Sequence, residues 1–440
     1  MEKTSFVLRG NICYSETKDK LSIMDRGYLV CEQGISQGVF PELPERFLGL
    51  PIEDYGNLLI IPGLTDLHLH GPQYSFRGLG MDLELLDWLD TYTFPEESRY
   101  QDLDYARKAY SSFADDLRTS ATTRAVVFGT VHGEATQLLM DALEETGLET
   151  YVGKVNMDQN CGDSLREKGA KASLEATRLW LEAIQGRYQR TRPILTPRFA
   201  PTCSEALLDG LGRLQQEQGL PVQSHLSENL SEIAWVKELF PWSSCYGEVY
   251  QHFGLFGGKA KTVMAHCVHS SQEEVNRMRE MGVYVAHCPQ SNMNLSSGIA
   301  PIRSYLQQGL LVGLGTDIAG GASLSMFRCM ADAVNVSKLY WRLVDQEKKP
   351  LTMEEVFYLA TVGGGSFFGK VGSFAEGFSL DALVLDDRGI AGSGNLSTRE
   401  RVERYVYLAE EKGRLEAKYV AGGKVALNAE TGCIFPRKPL

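Results

Sequence analysis

The sequence predicts an α/β fold: a closed (β/α)8 barrel of the TIM type, with a small β-sandwich domain built from both chain ends. Three observations predict it. From Pro62 onward, apolar strand-like runs alternate about eight times with segments of helical spacing, the pattern of a parallel sheet closed on itself. Before Pro62, and again after about Gly369, the alternation gives way to strand-like texture with glycine and proline turns. Histidines are few, eight in 440 residues, and five of them stand where barrel strands are expected to end.

In chain order, Phe6 to Ile61 reads as short strands without a helix. The expected barrel strands are Leu64–His70, Ala125–Thr130, Tyr151–Val155, Ile194–Phe199, Pro221–His225, Lys261–His266, Val283–His287 and Leu310–Thr316. Helical spacing lies between them, as at Leu103, Ala106, Tyr110, Phe113 and Leu117. Capping boxes are read at Thr202 with Glu205, Ser270 with Glu273 and Thr352 with Glu355. Asp82 to Glu97 interrupts the pattern and is too apolar for a solvated loop, so it is expected to be a short helix over the barrel mouth or against a partner subunit. After the barrel, Leu380–Leu385, Arg404–Leu408 and Leu415–Val420 read as strands, with Gly422-Gly423 as a turn. The resulting domains are 1–61 and 376–440 for the β domain and 62–375 for the barrel.

A composition of 43% hydrophobic and 23% charged residues is that of an ordinary globular protein. The net charge of −12, with no basic run, argues against nucleic acid or an anionic membrane as partner. No apolar run approaches the ~18 residues of a membrane span, and Met1 to Phe6 has no signal-peptide core. The nine scattered cysteines, without Cys-x-x-Cys, fit a cytoplasmic protein with thiols in its core. Cys267 and Cys288 each follow a histidine, and since strand neighbours point to opposite faces they are assigned to the core.

The chemistry centres on Ile61 to Gln73. Pro62-Gly63 ends what precedes it, and the alternation from Leu64 to His70 puts Asp66, His68 and His70 on one face, with Leu67 and Leu69 on the other. Imidazoles at i and i+2 lie ~6–7 Å apart along a strand, near enough to converge on one ion. Taken alone, a solvated strand face is the plainer explanation of them. The other strand ends favour a metal: Arg198-Phe199 on strand four, His225 to Glu228 on five, His266 on six, His287 on seven and Asp317 on eight. Three histidines and an aspartate suit Zn²⁺, which lowers the pKa of bound water toward ~7. Glu228, three residues past His225, is placed to exchange protons; its bland alternative is a solvated carboxylate at a helix start.

These motifs resemble the amidohydrolase superfamily: His-x-His after Pro-Gly, His225-x-x-Glu228, His266 and Thr316-Asp317. Within it, Pro72-Gln73-Tyr74 together with Pro197-Arg198-Phe199 resembles the guanine aminohydrolases, from about Leu59 to Gly423. The resemblance implies His68, His70, His225 and Asp317 as ligands of one Zn²⁺ per subunit, with Fe²⁺ the alternative ion. It implies Glu228 as proton shuttle, His266 as the group orienting the water and Asp317 as base toward it. Gln73, Arg198 and Phe199 would recognise guanine, with Glu228 and His266 beside it. Metal-bound hydroxide would attack C2, leaving xanthine and ammonia. A homodimer is the implied assembly.

Two residues depart from that pattern: Cys267 where glycine is expected, and Gln290 where asparagine is common. The fourth strand has no lysine to bridge two ions, so one metal is expected, and Lys154 is read as structural. The rival readings are an aminohydrolase of a pterin, triazine or modified adenine, and a binding or scaffold protein on the same fold. His132-Gly133-Glu134 supplies only half of a cytidine-deaminase signature. Gly313-Leu314-Gly315 lacks the remaining spacing of a dinucleotide or phosphate loop, and Gly363-Gly364-Gly365 lies in a helix–loop context.

Overall fold

The N-terminal portion forms four strands: β1 (Phe6–Thr17), β2 (Lys20–Glu32), β3 (Ile35–Phe40) and β4 (Ile52–Pro62). The structure, a computed structural model, describes residues 5–390, 392 and 395–427. The first four residues of the start read above for a signal peptide, and 428–440 of the expected C-terminal portion, lie outside the described residues.

Pro62 ends β4, and β5 (Leu64–His70) begins one glycine later. The barrel strands follow as β6 (Thr122–Phe128), β7 (Glu149–Gly153), β8 (Val155–Asn156), β9 (Thr191–Pro193), β10 (Thr196–Pro197), β11 (Val222–Leu226), β12 (Thr262–His266), β13 (Tyr284–His287) and β14 (Leu311–Leu314). β5, β6, β7 and β9 form one parallel sheet, β11 to β14 a second, and β8 pairs with β10. Backbone bonds cross both seams. Leu195 N donates to Pro221 O at 2.9 Å and Gln223 N to Leu195 O at 2.9 Å, while Asp317 N donates to His68 O at 2.8 Å and His70 N to Ile318 O at 2.9 Å.

The eight expected runs reappear with their ends shifted by a few residues, and the third and fourth are broken. The break has a local cause. A Cβ on Gly153 would stand 1.7 Å from Thr196 Oγ1, so this glycine permits an approach that bends the strands. Pro193 and Pro197 also lack the N–H a continuous ladder needs. Leu67, Val126, Ile194, Val263, Ala265 and Ala286 meet in one buried cluster from around the barrel, its inner core.

The helix Leu103–Thr119 buries Ala106, Tyr110, Phe113 and Leu117 as its spacing predicts, and Asp102 caps its start. Of the expected capping boxes, Thr352 with Glu355 forms. The other two shift: Ser204 caps Glu205–Gln218 and Ser271 caps Gln272–Met281. Thr202 instead closes a 3₁₀ turn through Phe199 O.

The C-terminal portion adds β15 (Ala382–Asp386), β16 (Arg414–Val420) and β17 (Gly423–Lys424). With β1 to β4 they are hydrogen-bonded as one continuous sheet, ordered β17-β16-β15-β4-β1-β2-β3, where a sandwich was expected. Arg404–Leu408, expected as a strand, lies inside the helix Thr398–Lys412. Its buried Val402, Tyr405, Val406 and Ala409 follow the 3-4 spacing of a helix, and Ser397 with Glu400 forms a capping box before them.

Sheet and barrel are tied by buried charges. Arg124 of β6 donates to Asp381 through Nε at 2.7 Å and Nη2 at 3.0 Å, with both side chains buried. Lys418 of β16 is buried and donates to the carbonyls of Arg118 and Ser120 at the end of the helix Leu103–Thr119. Asp381→Ala strands a buried guanidinium, and the expected loss is ~3–5 kcal/mol of unfolding free energy in urea titration.

Candidate active site

The site is built at the C-terminal ends of the strands. β5 does not keep strict alternation. Asp66 pairs with Ala125 but Leu69 with Val127, so the strand bulges between them. Leu67 therefore joins the inner core, whereas Leu69 packs in the cluster holding Tyr110 and Phe113, contrary to the expected common face. His68 and His70 meet edge-on with ring centroids 5.0 Å apart. Asp66 acts as a brace. It accepts from Thr316 N at 3.0 Å, Thr316 Oγ1 at 2.5 Å and His68 N at 3.2 Å, locking β5 to the loop after β14.

His225 closes β11 and donates from Nδ1 to the Arg198 carbonyl at 2.6 Å. That bond puts the proton on Nδ1 and leaves Nε2 as an acceptor, 3.3 Å from His70 Nε2. Asp317 Oδ1 lies 3.1 Å from His68 Nε2 and 3.4 Å from His70 Nε2. His266 donates from Nδ1 to Asn292 Oδ1 at 2.9 Å, and its Nε2 stands 3.4 Å from Glu228 Oε2 and 3.8 Å from Asp317 Oδ2. Ser227, His266 and Asp317 hold φ of 47°, 71° and 48°. This left-handed backbone costs a non-glycine residue roughly 1–3 kcal/mol and clusters at functional sites; here the strand ends turn across the barrel mouth.

Burial dominates the electrostatics. It lowers the pKa of His68, takes His70 down to about 3 and holds His225 well below the ordinary imidazole value, so the rings are neutral. Burial alone would raise Asp317, but the imidazoles that face it, His68 foremost, outweigh burial and hold the carboxyl well below its usual range. Glu228 is pushed up to about 8 by burial and by the charge of Asp317. Glu232, which accepts from Glu228 N at 3.0 Å and Tyr246 OH at 2.9 Å, is pushed up to about 7 by burial and by Glu228.

The donor set fits a metal ion. The ligand atoms of His68, His70 and His225 lie within 4.8 Å of one another, as do those of His68, His266 and Asp317. Nε2 of His68 and of His266 is buried without a hydrogen-bond partner. Neutral imidazole lone pairs and a carboxylate facing one another at 3.1–3.4 Å, away from water, repel unless a shared cation stands between them.

The cluster opens into a cavity of about 400 Å³, counting its mouth. Gln73, Arg198, Phe199, Glu228 and His266 line it, together with Leu85, Trp88 and Leu89. The segment expected as a cover is therefore one: an α-turn Leu85–Trp88, a π-helical turn Leu89–Thr93 and a helix Phe94–Ser98, with their apolar side chains against the barrel mouth. Glu97 was not singled out in the sequence, because the segment was read by its apolar content. It is buried and accepts from Arg198 Nη1 at 2.6 Å and Gln73 Nε2 at 2.9 Å. Glu232, and Ser297, which donates to Glu228 at 3.1 Å, are likewise recognisable only in three dimensions.

Other singled-out residues fall outside the cluster. His287 is buried at the end of β13 and belongs to neither metal-competent group. Cys267 and Cys288 are buried in the core, and Lys154 pairs with Glu167 at 2.7 Å. Gln290 accepts from Ala322 N and Ser323 N, holding the loop beyond Asp317. Gly363 and Gly365 pack so closely that a Cβ would meet Val312 O and Val371 O, which accounts for the glycine run.

Residues 59–419 match the amidohydrolase family, most of the chain. The chain belongs to that family. It is similar to a guanine deaminase of C. acetobutylicum whose crystal structure has guanine bound in the active site, at 45% identity and a TM-score of 0.93, covering 96% of this chain and 100% of that one. A guanine deaminase of Rattus norvegicus is 39% identical over 378 residues, 83% of this chain and 82% of its own. One of Dictyostelium discoideum is 37% identical over 380 residues, 84% and 83% of the two chains. A His/His/His/Asp group able to hold a metal thus sits in an amidohydrolase barrel. His225→Ala removes one ligand atom and is expected to abolish retention of a divalent ion through desalting, read by elemental analysis beside the wild type.

Proposed function

We propose that the chain is a metal-dependent guanine aminohydrolase, converting guanine and water to xanthine and ammonia. The observation that carries this reading is one cavity shared by the His/Asp cluster, Glu228 and the Gln73, Arg198 and Phe199 set. The likeness to guanine deaminases over most of the chain supports it.

In this reading His68, His70, His225 and Asp317 hold one divalent ion per subunit, zinc first and iron(II) as the alternative. When bound, the ion supplies an activated water at neutral pH. Arg198 meets the purine carbonyl oxygen with its fork of donors, and Phe199 offers a face to the ring. Gln73 contributes its remaining amide N–H. His266 orients the water and Asp317 takes a proton from it, while Glu228 protonates ring N3 as C2 is attacked. Asp317 then gives its proton to the departing amino group while Glu228 takes back the proton of the new hydroxyl, so ammonia leaves, xanthine remains and both carboxyl groups return to their starting states. The raised pKa of Glu228 suits a group that must both hold and release a proton near neutrality.

The test is ammonia release from guanine set against isoguanine, a pterin and ammeline, with metal content measured on the same sample. Preference for one of the rivals would reassign the substrate. Glu228→Gln is expected to keep its metal and lose ~10²–10⁴-fold in kcat. Arg198→Ala is expected to raise the guanine KM by at least about tenfold at unchanged metal content.

A cytoplasmic location belongs to the same reading and is supported by the free, buried thiols of Cys203, Cys267, Cys288 and Cys329. So does a homodimer. The apolar segment before Phe94 no longer supports it, since that segment covers the chain's own cavity. Exposed Leu339, Leu343 and Val344 support it instead. Light scattering is expected to give twice the chain mass, and a monomeric mass removes the dimer.

A further inference from the structure

We propose that Glu97 is a positioning residue that sets specificity: by neutralising Arg198 and holding the Gln73 amide, it fits the cavity to an uncharged nucleobase and against purine anions. This rests on the guanine reading above.

Glu97 is 1% exposed on the covering helix Phe94–Ser98. One carboxylate oxygen accepts from Arg198 at 2.6 Å and the other from Gln73 at 2.9 Å. Gln73 Oε1 accepts from Ala319 N at 3.1 Å, so both ends of the amide are engaged and its orientation is set. Of its two N–H groups one remains for a ligand. Phe94, three residues earlier, places its ring centroid 5.4 Å from the Arg198 guanidinium carbon. One short helix thus holds Arg198 both in its plane and on its face.

Among the described residues lining the cavity, Arg198 is the one arginine or lysine. Without a counter-charge, a buried guanidinium would draw in any anion of suitable shape. Paired with Glu97, it keeps its remaining N–H donors but presents no net charge. Those donors suit the carbonyl oxygen of a neutral purine. An anionic purine gains little from a pair that carries no net charge. Xanthine gives up a ring proton more readily than guanine, so the same balance favours release of the product.

The test compares binding of hypoxanthine, neutral near pH 7, with urate, an anion there, by calorimetry on metal-loaded wild type and Glu97→Gln. The change in the affinity ratio between proteins cancels differences in ligand size. The expected result is a shift of about tenfold toward urate in the variant. An unchanged ratio, or equal changes for both ligands, overturns the proposal. Should Glu97→Gln fail to fold, Glu97→Ala carries the test: added formate, refilling the carboxylate position, is expected to move the ratio back toward wild type, and a ratio insensitive to formate overturns it. Because the ratio is a binding quantity, a wild type that binds both purines yet fails to deaminate guanine would overturn the reading of function without deciding this one.

Discussion

The constraint on which the rest depends is the convergence of buried electron-pair donors at the barrel rim. His68, His70, His225 and Asp317 come from three separate strand ends, yet their ligand atoms approach to 3.1–3.4 Å where water is excluded. Such an arrangement is unfavourable by itself. It persists because each group is fixed from behind: His225 by the Arg198 carbonyl, Asp317 N by the His68 carbonyl, and the Asp317 loop by Asp66 through Thr316. The bulge in β5 is part of the same solution, since it sends Leu67 into the barrel core beside the histidine pair.

The cavity above this cluster depends on a second arrangement, the covering segment after β5. Its apolar side chains have no other core to join, so they pack on the barrel mouth and bring Glu97 down to Arg198 and Gln73. A buried ion pair of this kind gains little stability over an apolar pair, because desolvation offsets the attraction. What it provides is orientation: the guanidinium and the amide each keep one geometry. Glu232 plays a comparable part behind Glu228, with its carboxylate on the Glu228 backbone and tied to Tyr246.

The sheet from both chain ends is anchored to the barrel by buried charges. The Arg124–Asp381 pair and Lys418 join it to β6 and to the helix Leu103–Thr119, which stands behind β5 and β6. Charged side chains so deeply buried would be costly if unpaired, and each here is satisfied by a carboxylate or by helix-end carbonyls.

Much was legible in the chain itself. The period of the apolar runs marks the barrel strands, and histidine placement at their ends marks the site, because both follow from local rules about which way side chains point. The helix Thr398–Lys412 has a local signal too, the 3-4 spacing of Val402, Tyr405, Val406 and Ala409, although the aromatic and β-branched run Arg404–Leu408 within it mimics a strand. Other features have no local signal. The bulge in β5, the breaks around Gly153, the role of Asp66 as a brace and the reach of Glu97 to Arg198 arise when distant segments compete for one volume. Sequence by itself determined which residues could bind and react; the tertiary structure decided which of them meet, because contact depends on packing between segments that local periodicity cannot register.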